Sequence, residues 1–122
     1  MKLLFATVAL TLIALPVLAD GALCTGIHDW PAVSSLAQLE EAKIADPAAV
    51  DLAKSAVIRV VSERLRNGYF RQVHRIRFAR LSGPVLEVLT VSNASATECG
   101  KSSVATYVVS ERLGLGDGLP PN

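Results

Sequence analysis

Cys24 and Cys99 are the only cysteines, and a bond between them would close a loop over most of the sequence. A staple of that span holds the start of a fold against its end, so its formation constrains the architecture more than any local propensity. Whether it forms depends on the compartment, because disulfides persist in exported proteins and are rare where thiols are kept reduced.

The amino terminus points to export. Lys2 supplies a positive start, residues 3–15 are uncharged and mostly apolar, and Pro16 breaks any helix. Val17 and Ala19 then place modest side chains at the two positions a signal peptidase reads. This is the pattern of a cleavable leader over residues 1–19, with Asp20 as the new terminus. Cleavage after Ala22 is disfavoured, since it would put Asp20 where a small neutral residue is required. The run is shorter than the roughly twenty apolar residues of a membrane anchor. Leu23 before Cys24 does not suit a lipidated cysteine. A buried helix of the mature fold would not account for Lys2, Pro16 and the cleavage pattern together.

In an exported chain the two cysteines are expected to pair. The loop-entropy model assigns such a staple about 4 kcal/mol. No CxxC pair and no neighbouring base favours a redox or nucleophilic role. With the leader removed, about 100 residues remain, enough for one domain over residues 20–113 and a Gly- and Pro-rich tail over 114–122. The tail is expected to be loose.

Twelve basic and eleven acidic residues nearly cancel, and loss of Lys2 with the leader makes the mature chain neutral. A globally electrostatic partner such as nucleic acid is therefore not implied. The distribution is uneven, however. Arg59, Arg64, Arg66, Arg71, Arg75, Arg77 and Arg80 share one segment with a single acid, Glu63.

Residues 20–33, with Gly21, Cys24, Gly26 and Pro31, read as an irregular arm. A short helix is expected from Ser34 or Ser35, where Ser35 and Gln38 fit a capping box and Leu36, Leu39 and Ile44 make a partial apolar stripe. A long second helix is expected from Asp46. Asp46 is a suitable N-cap, Pro47 suits the first helical position, and Val50, Ala53, Val57, Val60, Val61 and Leu65 recur at three- and four-residue steps. Asn67-Gly68 would close it.

The period then changes to two. Phe70, Gln72, His74, Ile76 and Phe78 share one parity, and Arg71, Arg75, Arg77 and Ala79 the other. Strands follow over 85–91 and 103–111, separated by a turn at Ser82-Gly83 and a polar loop carrying Cys99. Depending on turn length, Phe78 would lie beside Glu87 or beside Val88, and the latter buries better.

The expected fold is α+β: one long helix, with a short helix before it, on a three- to four-stranded antiparallel sheet stapled by one disulfide. In layout this order is similar to cystatin-like and other helix-on-meander architectures, and no family function is carried over with it. The middle strand is apolar on both parities, which leaves a second sheet face to be covered by the arm or by another copy of the chain.

Arg71, Arg75 and Arg77 are the sharpest cluster. Guanidinium groups projecting from one strand face grip carboxylates or phosphates through forked hydrogen bonds. The plainer reading is a solvated face that suppresses edge-to-edge aggregation, with cross-strand partners such as Glu87 or Glu111. Trp30 and Tyr69 are the large aromatics with polar handles, suited either to anchoring a ligand or to packing over the disulfide or core. His28, Asp29 and His74 could in principle form an acid–base pair or a three-ligand metal site, but nothing in their spacing brings them together. Neither a GxSxG elbow nor a phosphate-cradling loop is present, and no cofactor or metal is implied. Asn93-Ala94-Ser95 matches a glycosylation sequon, which matters only in a eukaryotic host.

These features favour a small exported binding protein without enzymatic activity, of the inhibitor or immunity type. The alternatives are a binder of anionic envelope components and a small hydrolase using His28, Asp29 or His74.

Overall fold

The computed structural model describes residues 20–100 and 102–109, with positions 3, 4, 6, 8 and 9 of the amino-terminal segment. The carboxyl half of the expected leader and the tail 114–122 lie outside the described residues. No helix among the described residues is long and apolar enough to cross a membrane.

The chain forms one helix, α1 (Trp30–Glu41), a single 3-10 turn (Pro47–Ala49), and four strands: β1 (Val50–Arg64), β2 (Phe70–Arg80), β3 (Leu86–Ala94) and β4 (Ala105–Val108). The strands make one antiparallel sheet in sequence order, β1-β2-β3-β4. The architecture is α+β, as expected, but its helix is short.

The expected long helix over 46–65 is instead the turn and β1. Its start signals are real. The Asp46 side chain accepts a hydrogen bond from Ala48 N at 3.0 Å, and Pro47 follows the cap. They cap only one turn, because a β-branched run begins at Val50 and continues through Val57, Ile58, Val60 and Val61. Such side chains lose rotamer freedom in a helix and pack well on a pleated surface. Between Ser55 and Val60 exposure alternates with period two. The decisive term is tertiary. Pairing along β2 from Val50↔Arg80 to Arg64↔Phe70 gives β2 a hydrogen-bonded neighbour on both edges. Irregularities between Asp51 and Ala56, and at Val60, let the 15-residue β1 follow the 11-residue β2.

The other helix also differs from expectation, since it starts at Trp30 rather than at Ser34 or Ser35. Asp29 is the residue before it, and Pro31 lies in its first turn, where the missing N–H costs no intrahelical bond. Ser35 is no cap; it sits fully buried in mid-helix. The helix buries Pro31, Ala32, Ser35 and Leu39.

Strand register also differs from both alternatives. Phe78 pairs with Leu86 and Arg77 with Glu87. The connection runs over residues 81–85, with Gly83 at φ +90°, and is longer than a two-residue turn. The pairing still serves burial, for Phe78 and Leu86 both enter the core. β3 extends to Ala94 and β4 is confined to Ala105–Val108, so both differ in bounds from the expected strands.

The inward face of the sheet is split. One end is apolar: Ile76, Phe78, Leu86 and Val88 pack with Ala32, Leu39 and Val50, and Ile27, Leu36, Leu52 and Val57 flank them. The other end is polar, with Gln72, His74, Thr90 and Ser92 all buried. Residues 20–24 of the arm lie at that polar end. The Cys24–Cys99 disulfide, with a Cα–Cα distance of 5.7 Å, ties the arm to the segment joining β3 and β4. The arm and α1 therefore cover the polar and apolar ends of the inner face and leave the outer face open.

Candidate functional site

The outer sheet face is built from the parity opposite to the core. Cross-strand partners share a face, so the registers define its rows directly. One row runs Val61–Val73–Val91–Ala105 across all four strands. The next runs Ile58–Arg75–Leu89–Tyr107. Glu63, Arg71 and Asn93 lie beyond the first, and Ala56, Arg77 and Glu87 beyond the second. Ile58, Val61 and Tyr107 are 47%, 48% and 59% exposed, values that show no described element packed over them. The result is one continuous apolar row across four strands, a second row broken only by Arg75, and charged residues beyond both.

Arg71, Arg75 and Arg77 project together from β2, as the alternation predicts. Arg75 Nε lies 3.4 Å from Glu87 Oε1, which is one of the cross-strand partners expected. Arg71 lies 4.0 Å from Glu63, a pairing that a helical reading of residues 46–65 hides. Glu111 lies outside the described residues. The Arg71–Glu63 pair, exposed on both sides, contributes little to stability and is easily exchanged for a partner's carboxylate, whereas the Glu87 side chain is mostly buried. Arg77 stands exposed between Ala56 and Glu87.

The remaining candidates are placed elsewhere. Trp30 donates its indole N–H to Ser102 O at 2.8 Å, fastening the start of α1 to the segment before β4. Its polar handle is already used internally. Tyr69 is half exposed and lines an open depression of about 670 Å³ with Asn93, Ser95, Glu98 and Ser102, beside Cys99. Asp29 accepts from Gly26 N at 2.7 Å and shapes the turn into α1. His28 is exposed, whereas His74 is fully buried and bonded to Leu23 O at 2.9 Å. Burial lowers the His74 pKa, and the nearby Arg59 charge adds to this against the raising effects of Leu23 O and Asp29. Among the described residues no group of three His, Cys, Asp or Glu side chains is arranged to hold a metal.

A second constellation lies on the inner face. Arg59, Ser62, Gln72 and His74 all reach main-chain carbonyls of residues 20–23. Arg59 and Ser62 were hidden in the supposed helix. Gln72 and His74 were legible, since two polar side chains on the core parity of an alternating strand require an internal partner. What that partner is could not be read locally, because it lies some fifty residues upstream.

No protein-family model, curated protein or solved structure matches the chain.

Proposed function

We propose that the chain is a small exported binding protein, without enzymatic activity, that presents its outer sheet face to a protein partner. The leader over residues 1–19 would direct it to the periplasm or the exterior, and the Cys24–Cys99 disulfide fits an oxidising compartment. The single observation behind the binding reading is the outer face itself. A contiguous apolar band crossing four strands is uncommon on an isolated soluble domain and marks interaction surfaces. Its arginines favour a partner whose own apolar patch is bordered by carboxylates. An inhibitor or immunity role suits the small size and the rigid, stapled frame.

Arg71 and Arg75 each lie near an acid of the same face, so the face is mixed in sign rather than uniformly cationic. That favours a protein over a polyanion. The test is complex formation with envelope proteins, followed by calorimetry with the purified partner. Changing Arg71, Arg75 and Arg77 together to Glu, or separately Val61→Lys, is expected to weaken the complex at least tenfold. Undiminished binding by both variants would remove the outer face from the reading. Binding only to lipopolysaccharide or cell wall, with a steep loss in salt, would replace it with an anionic-envelope binder.

A further inference from the structure

Four consecutive carbonyls at the start of the domain are bound by side chains instead of by a neighbouring strand. Arg59 Nη1 donates to Asp20, Gly21 and Ala22 O at 3.2, 3.4 and 3.3 Å. Gln72 Nε2 donates to Ala22 O at 2.7 Å and to Asp20 O at 3.3 Å. The Ser62 hydroxyl donates to Asp20 O, and His74 Nε2 meets Leu23 O. Ser95 O accepts from Ala22 N at 3.0 Å. Among these contacts only the 4.0 Å approach of Arg59 to the exposed Asp20 carboxylate involves an arm side chain. The trough reads main chain.

It also selects one residue. Gly21 has φ +79°, and a Cβ there would lie 2.7 Å from the Phe70 ring and 3.1 Å from Ser95 O. Both the conformation and the space require glycine at the second position. The disulfide pins Cys24, so once the leader is cut off residues 20–23 become a free end that can leave the trough with the staple intact.

We propose that Arg59, Ser62, Gln72 and His74 form a binding site for the main chain of a peptide terminus with a left-handed glycine in second place. Its resident ligand is the protein's own terminus, released by hydrolysis of the Ala19–Asp20 bond. In that step a leader peptidase of the export machinery adds water across the amide, leaving a carboxylate on Ala19 and an amino group on Asp20. Cleavage after Ala22 would instead remove three of the four carbonyls and leave the buried Gln72 amide with only the Ser62 hydroxyl, 3.3 Å away. The site is separate from the outer face; it shares with the proposed function only the export reading, and only for the cleavage.

The test uses the full chain expressed in an exporting bacterial host. Intact mass is expected to show residues 20–122 with one disulfide. Exposure to a broad-specificity aminopeptidase is then expected to trim residues 20–22 at least tenfold more slowly than in Gly21→Val, whose core is checked by the near-ultraviolet signal of Trp30. The peptide Asp-Gly-Ala-amide is expected to bind Gly21→Val and not the wild type. Should Gly21→Val not accumulate folded, Arg59→Met removes the donor to three carbonyls without crowding Phe70 and is read in the same trimming assay. A mature chain that starts at Leu23, or equal trimming rates, overturns the site while leaving export intact. A chain that keeps residues 1–19 overturns export and the released terminus together.

Discussion

Removing the disulfide is the perturbation whose size follows most directly from the structure. Cys24 and Cys99 are 75 residues apart, so the bond excludes from the unfolded ensemble every conformation in which that long loop is open. The loop-entropy relation gives about 15 cal/mol/K for this length, or about 4.5 kcal/mol at 25 °C. Folded domains are typically stable by only about 5–15 kcal/mol, so the double variant Cys24→Ala/Cys99→Ala should be marginal but folded. With a urea slope of about 2 kcal/mol/M, the midpoint should fall by about 2 M. Urea unfolding followed by far-ultraviolet circular dichroism measures this. Hydrogen exchange at the Ala22 amide, which is bonded to Ser95 O, reports the arm separately. A stability loss below about 1 kcal/mol, with Ala22 still protected, would refute the reasoning. It would mean that the cross-link restricts the unfolded chain far less than the loop relation assigns.

Four further outcomes are expected. Burial lowers the His74 pKa in the fold, so the unfolded chain takes the proton first. The stability contributed by neutral His74 is complete above the unfolded value near 6.5 and is lost as pH falls through the depressed folded value. The urea midpoint should therefore drop between pH 7.5 and 5.5, and a flat midpoint would contradict this. Phe78→Ala removes a fully buried ring from the apolar end of the core and should cost about 3–5 kcal/mol. Arg71→Ala, by contrast, should change stability by less than about 0.5 kcal/mol, since its ion pair is long and exposed; thermal melts of the two distinguish them. Thr90 is fully buried and its hydroxyl has no hydrogen-bond partner among the described residues. Thr90→Val should thus raise stability by about 1 kcal/mol, and a loss of that size in urea unfolding would reveal a bond to the hydroxyl.

Legibility differed between two neighbouring segments of the chain. Strand β2 was readable residue by residue, because strict alternation from Phe70 to Phe78 survives any choice of neighbours and places Arg71, Arg75 and Arg77 on the other face. Segment 46–65 was not. Asp46-Pro47 is a genuine start signal, and the apolar spacing that follows satisfies a helix as well as a strand with irregularities. Only the ladder with β2 distinguishes them, and that ladder is a long-range contact. The outer sheet face was half visible for the same reason: its arginines belong to β2, while Ile58, Val61 and Glu63 belong to β1.

The sequence alone determined the terms that act locally or through covalent chemistry. These are the export pattern expected at the amino terminus, the pairing of the only two cysteines, and the alternating parity of β2. Tertiary structure decided the terms that depend on partners distant in sequence. Pairing along β2 turned a capped apolar stretch into the edge strand β1. The same pairing placed Arg59 and Ser62 beside Gln72 and His74, above which the stapled arm lies. Backbone carbonyls carry no side-chain signature, so a site that reads residues 20–23 through their main chain is invisible until the fold brings its four donors together.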